Sequence, residues 1–371
     1  MSTLLPQKKA VMAAAALLLW PGGLLLAQQS SEESTPFPFL PNPVQTVSTV
    51  PANGDQNPYG VAFVPPGFPS GGPLHIGDIL VSNFNNAMNQ QGTGTTIVQV
   101  PASGGAVSVF FQGQGGLGLT TALAILKDGM VVVGNLPTAD GTCATAQAGS
   151  LLVIDGNGNL RTTLTDSNIN GPWDMAVNDQ GRGRVQAFVA NALAGTVARL
   201  DLEISASGAT IVSSTVIASG YMHRCDPAAL VVAPTGLVFD AAHDLLYVAS
   251  TEDNAVYVVR NAATATRSAG KGHLVYQDSA HLHGALGMAQ AANGDLLVSN
   301  ADVINSDPNQ PSEIVEFTTN GRFVKQLSMD PSQGGSFGLN VAVTGRTARF
   351  AAVDDNAGTL SIWTLPAPPG P

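Results

Sequence analysis

Short runs of alternating apolar and polar residues follow one another along most of the chain, separated by Gly- and Pro-rich turns. A period of two is the signature of strands with one buried face. The runs also repeat as a set. A unit recurs about every 45–55 residues, the spacing expected of propeller blades. It opens with a Pro/Gly turn and a short apolar strand. A second strand follows, written hydrophobic-Val-small-Asn, and then two more alternating strands. The opening strands read PYGVAFV (Pro58–Val64), TALAIL (Thr121–Leu126), PWDMAV (Pro172–Val177), PTGLVFD (Pro234–Asp240), LGMAQAA (Leu286–Ala292) and GLNVAV (Gly338–Val343). The second strands read GDILVSN (Gly77–Asn83), MVVVGN (Met130–Asn135), VQAFVAN (Val185–Asn191), DLLYVAS (Asp244–Ser250), DLLVSN (Asp295–Asn300) and RFAAVD (Arg349–Asp354). The pattern predicts an all-β, six-bladed β-propeller with blades at 57–112, 118–167, 171–219, 234–278, 284–330 and 336–366. A pair of β-sandwiches would not require the same strand order to repeat through the chain.

The last blade runs out of strands, because only a five-residue tail (367–371, APPGP) follows its end at Pro366. Val44–Val50 (VQTVSTV) alternates like a strand and has no neighbour of its own. It is therefore expected to pair with Thr359–Leu365 as the outer strand of blade 6. That pairing closes the ring and leaves no open seam.

The segments before this strand read differently. Lys8 and Lys9 precede an apolar stretch, Ala10–Leu26, broken by Pro21-Gly22-Gly23. This is the layout of a secretory signal, with cleavage expected after Ala27 and an uncleaved anchor as the alternative. Residues 28–43 are polar and then Pro-rich and read as a linker without a fold of its own. Export to the periplasm or the extracellular space follows, with no membrane association once the signal is removed. The net charge of −11 makes nucleic acid a poor partner. A small molecule or a protein remains as the partner class, and a monomer is expected.

At the quoted repeats the chain resembles propellers of the NHL, YncE-like and gluconolactonase-like group. PYGVAFV with GDILVSN, PTGLVFD with DLLYVAS, and LGMAQAANGDLLVSN carry the resemblance. It implies the architecture but no single reaction, because members include lactonases, lyases and plain binding modules. Gluconolactonase-like members hold a divalent cation in the central channel through Glu, Asn and Asp. An oxygen-rich set of that kind suits calcium. Here Thr235 stands where those enzymes commonly have Asp, and no Glu occupies the first strand of blade 1.

Candidate site residues come from the loops of one face. Asn83, Asn135, Asn191 and Asn300, with Asp354 and Ser250, end the second strands. They read as turn caps, or as a polar ring around the channel mouth. Arg224 and Asp226 lie in the entry to blade 4 on the same face. His223, His281 and His283 are also there, and neutral imidazoles together would suit zinc. No motif demands a cofactor, so a divalent metal, calcium or zinc, is the one candidate. The two cysteines, Cys143 and Cys225, fall in the long excursions of blade 2 and the blade 4 entry. A disulfide between them fits this topology, with two free thiols as the alternative. Tyr59, Trp173 and Trp363 read as packing between blades, with a sugar platform as the alternative. The functional expectation is a binding or scaffolding module acting through this face. The alternative is a metal-dependent hydrolase or lyase with its site in the channel.

Overall fold

The structure is a computed structural model that describes residues 38–367. The expected signal at residues 1–27 lies outside the described residues. Among the described residues no helix is long and apolar enough to cross a membrane.

Six four-stranded antiparallel sheets succeed one another along the chain. Their innermost strands are Gln56–Phe63, Leu119–Ile125, Pro172–Gly181, Pro234–Asp240, Ala285–Gln290 and Ser336–Thr344. In blades 1 to 5 the four strands are consecutive in sequence. In blade 6 the fourth strand is Gln45–Ser48, which pairs antiparallel with Thr359–Pro366 in the register Gln45↔Ile362 to Ser48↔Thr359. The ring closes as the orphan strand predicted, over a slightly shorter stretch. Thr49 reinforces it: its N–H and hydroxyl both reach Gly358 O, at 2.9 and 3.0 Å. One expectation needs correcting. The supposed linker already lies against the fold at Pro38–Pro41. Leu40 N donates to Ser328 O at 2.7 Å, and Trp363 Nε1 donates to Pro41 O at 2.7 Å.

The repeat motif has a physical reason. Every innermost strand breaks register near its start, as between Pro58 and Val61, Pro234 and Leu237, and Ser336 and Leu339. The bulge frees backbone groups that must find partners. In blades 1 and 5 a serine of the second strand supplies them. Ser82 Oγ accepts from Gly60 N at 2.9 Å and donates to Thr120 O of the next blade at 2.8 Å. Ser299 Oγ does the same between Gly287 N and Phe337 O, at 2.9 and 2.7 Å. The glycine beside four of the bulges (Gly60, Gly236, Gly287 and Gly338) is there because neighbouring blades come close. A Cβ on Gly338 would run into the backbone carbonyl of Tyr59, and one on Gly236 into that of Leu286. Apolar side chains fill the wedges between blades: Val132, Val153, Val189 and Leu200 between blades 2 and 3, and Tyr247, Val256, Val298 and Phe317 between blades 4 and 5.

Candidate functional site

The ladder register aligns the six innermost strands residue by residue. The position just before the close-approach residue is Tyr59, Thr121, Trp173, Thr235, Leu286 and Phe337. Four of these six are 5% exposed or less, and Thr121 and Phe337 are at 9%. The aromatic members pack together at the channel mouth. Tyr59 stacks on Phe84 at 4.7 Å and on Phe337 at 4.4 Å. Trp173 meets Tyr59 and Phe84 at 5.7 and 5.4 Å. The next column is small or Gly in five blades, but in blade 3 it is Asp174. That carboxylate is buried in the channel, accepting from Met175 N at 2.8 Å and Leu237 N at 3.0 Å. Burial without a cation pushes its pKa up to about 7.

Above the aromatic cluster is a bowl of about 440 Å³, within the size range of small-molecule sites. Its floor is Tyr59, Trp173 and Phe337. One wall is polar: Gln56, Asn57, Asn85, Asn89, Gln91 and Asn356. The facing wall is apolar, from Val231, Val232, Leu286, Ala301 and Val303. Asn57 holds a left-handed backbone (φ 65°), which asparagine tolerates. With its amide turned to satisfy both ends, it donates to the Asp355 carboxylate and accepts from Asn85 Nδ2 at 2.9 Å. Asn85 Nδ2 donates in turn to Asn89 Oδ1 at 2.7 Å. Burial first, and the neighbouring Asp354 second, push the Asp355 pKa up to about 7. Among the described residues no Lys or Arg lines the bowl. The indole N–H of Trp173 is buried and has no partner among the described residues. Such an orphan costs about 1–3 kcal/mol until an acceptor meets it.

Val231 and Val232 of the apolar wall come from a hairpin between blades 3 and 4, Arg224–Asp226 paired with Leu230–Val232. The cysteines hold it in place: Cys143 and Cys225 form a disulfide, with Cα atoms 5.6 Å apart. Cys143 opens a short 3-10 turn, Cys143–Thr145, in the excursion of blade 2. On its other side the hairpin reaches blade 1, where Gln91 Nε2 donates to Ala228 O at 2.7 Å. Arg224 Nε bonds Glu252 Oε2 at 2.8 Å, and its guanidinium also pairs with Asp226, whose pKa is lowered partly by that contact. Arg224 and Asp226 therefore brace the hairpin rather than line the bowl.

The recurring amides are buried and do not line the bowl. Asn135 Oδ1 accepts from Gly118 N at 2.8 Å, Asn191 Oδ1 from Asn170 N at 2.9 Å, and Asn300 Oδ1 from His283 N at 3.0 Å. Each ties the second strand to the segment entering its own blade. Asn83 Nδ2 instead donates to Thr49 O at 2.9 Å, beside the closing strand. Asp354 accepts from Ala357 N at 3.1 Å, and Ser250 Oγ donates to Asp253 Oδ2 at 2.7 Å. Thr235 Oγ1 lies within 3.0 Å of Thr251 Oγ1 and of Leu286 O, so it is occupied between blades 4 and 5.

The three histidines do not form one site. His223 Nδ1 lies 3.2 Å from Tyr221 O. His281 pairs with Asp278 at 2.6 Å and stacks on Phe323 at 3.9 Å. His283 turns inward and meets Glu313 Oε1 at 2.7 Å. Adjacent histidines at i and i+2 diverge on an extended segment. Sequence reasoning missed Asn57, Asn85, Asp355, Asp302 and Glu313. Aligning the inner strands would have exposed the aromatic column, and Asp174 as the exception in the small-residue column.

No protein-family model and no curated protein matches the chain. Solved structures do. A calcium-binding protein, regucalcin, from Agrobacterium tumefaciens is 14% identical, with a TM-score of 0.52 over 91% of this chain and 98% of its own. A protein provisionally described as a gluconolactonase is 13% identical, with a TM-score of 0.51 over 90% and 97%. The major allergen Mala s 1 of Malassezia sympodialis is 12% identical, with a TM-score of 0.55 over 88% and 96%. At this identity the likeness is one of fold: the chain is a six-bladed β-propeller of the architecture shared by gluconolactonase-like and regucalcin-like proteins.

Proposed function

We propose that this propeller is an exported, monomeric binding module, and that its ligand is a small neutral ring carrying several hydroxyl groups, of the size of a mono- or disaccharide. The observation that carries this reading is the bowl itself. It sets an aromatic floor and an apolar wall against a wall of side-chain amides, with an unpaired indole N–H below. Aromatic faces take the C–H surface of such a ring, and amides both donate to and accept from its hydroxyls. An anionic ligand would meet Asp355 with no cation to offset it. The likeness to a calcium-binding regucalcin favours the second reading, a metal-dependent hydrolase or lyase. Calcium takes six to eight oxygen ligands. The mouth supplies one carboxylate, Asp355, and Thr235 is already bonded to its neighbours. Those two facts weigh toward the neutral ligand. The Cys143–Cys225 bridge suits an oxidising compartment and so agrees with export.

The test is a panel of neutral sugars, sugar lactones, sugar acids and calcium, read by thermal shift and by Trp fluorescence. Trp173 in the floor should report occupancy. A neutral sugar or lactone is expected to bind, and Asn85→Leu to weaken it about tenfold or more, the effect of losing one hydrogen bond and stranding its partner. Binding of only anions or calcium, or affinity unchanged by Asn85→Leu, would overturn the reading.

A further inference from the structure

The second concentration of chemistry lies off the channel, in blade 5. Three chain segments meet there: the entry to the blade with His283, the start of the loop after Leu296–Asn300 with Asp302, and the first residue of Glu313–Phe317. One donor atom from each lies within 4.8 Å of the others, and among the described residues this is the one such His/Asp/Glu/Cys group. His283 is 2% exposed and Glu313 fully buried.

The group is short of positive charge. Its ion pair is His283 with Glu313, so a single imidazole faces two carboxylates, Glu313 and Asp302. Buried carboxylates are paired with cations or bind metals, because desolvation is costly. The ligand atoms are also held from behind. Asp302 Oδ2 accepts from Ser312 N at 2.9 Å and Gly334 N at 2.7 Å. Its other oxygen, Oδ1, is buried with no hydrogen-bond partner. Glu313 Oε2 accepts from Asn300 Nδ2 at 3.1 Å. The backbone N–H of His283 donates to the same amide's oxygen at 3.0 Å. Outer contacts of this kind orient the ligands of a metal site.

We propose that His283, Asp302 and Glu313 bind a divalent transition metal, of which zinc is the best fit, through one imidazole nitrogen and two carboxylate oxygens. A calcium site would not choose an imidazole, whereas zinc takes mixed nitrogen and oxygen donors and accepts water in its fourth position. In the metal-free protein the His283 Nδ1–Glu313 Oε1 distance is that of a hydrogen bond, 2.7 Å. Around zinc, tetrahedral donors stand about 3.4 Å apart. Binding therefore opens this pair by a fraction of an ångström and releases its proton to solvent. The site lies beside the bowl, because Ala301 and Val303, which flank Asp302, belong to the apolar wall. It does not depend on what the bowl binds.

The test uses full-length mature protein without a polyhistidine tag, stripped with chelator and titrated with zinc against a chromophoric competitor. One equivalent should bind, with a rise in Tm. Asp302→Asn keeps the size and one acceptor for the backbone N–H groups, and Glu313→Gln does the same for Asn300. Each should fold with an unchanged circular dichroism spectrum and lose zinc affinity by about 100-fold or more. The double variant His223→Ala/His281→Ala should bind as the parent does. No stoichiometric uptake by the parent, or equal affinity in Asp302→Asn and Glu313→Gln, would overturn the site. Loss of binding in the His223/His281 variant instead would assign the zinc to the surface and overturn it as well.

Discussion

Replacing both Cys143 and Cys225 with serine should cost the propeller stability and loosen the outer strand of the hairpin that carries Val231 and Val232 into the bowl. The two residues are 82 apart in sequence. A cross-link closing a loop of that length removes unfolded-chain entropy worth about 4.5 kcal/mol at 25 °C in the chain-entropy model. That figure is a ceiling, because engineered and native bridges often deliver less. Unfolding entropy near 60 °C is about 2 cal/mol/K per residue, or roughly 0.7 kcal/mol/K for a propeller of this size. The ceiling therefore corresponds to a fall in Tm of about 6 °C. Locally the effect should fall on the outer strand Arg224–Asp226 and the turn, because Leu230–Val232 is buried in the core while the outer strand and turn are otherwise tied by Arg224 to Glu252 and Gln91 to Ala228 O. Arg224 is the one Lys or Arg in the hairpin and so its trypsin target, and its side chain is about 40% exposed. Scanning calorimetry and limited trypsinolysis should be run on the oxidised parent, the reduced parent and the double variant. Cys225 is exposed, so reductant reaches the bridge without unfolding. Cleavage after Arg224 is expected only when the bridge is absent. An unchanged Tm together with a resistant Arg224 would refute the staple.

Three further outcomes follow from the same geometry. Truncating the mature chain to begin at Val50 removes the outer strand of blade 6 together with Thr49, which holds Gly358 and Asn83. Calorimetry should show a lower Tm by about 5 °C or more, since an exposed edge replaces a paired one, and an unchanged Tm would remove the closure from the stability argument. Phe84→Ala deletes a fully buried ring from the stack under Tyr59 and should cost about 3–5 kcal/mol by denaturant titration. A loss below about 1 kcal/mol would mean that the stack relaxes to fill the gap. Asp355 has its pKa raised from 3.8 to about 7 by burial, so the folded protein holds a proton there that the unfolded chain has released. Stability from this group is complete below about pH 4 and is lost as pH rises through about 7, up to about 4 kcal/mol in all. Asp355→Asn should flatten that slope and be the more stable protein at pH 8; a parallel pair of Tm–pH curves would assign the slope to other groups, Asp174 among them.

The blades, their order and the closing strand could be read from the chain because each is a local pattern repeated or conspicuously left over. The disulfide became readable once both excursions were placed on one face. The bowl could not be read in the same way, and the reason lies in the symmetry. Asn135, Asn191 and Asn300 recur because every blade must tie its second strand to its own entry, and that common task consumes their amides. Ser82 and Ser299 serve the backbone groups that the bulges of their blades leave to satisfy. A small ligand has no sixfold symmetry, so the side chains that meet it cannot be the ones every blade shares. They are the exceptions instead: Asn57 with its left-handed backbone, Asp355 one residue beyond the repeated position, and Tyr59, Trp173 and Phe337 in a column that elsewhere holds Thr or Leu. The same holds for His283, Asp302 and Glu313, which no other blade repeats. In a propeller the regular polar positions are the ones to assign to folding, and the departures from register are the ones to assign to function.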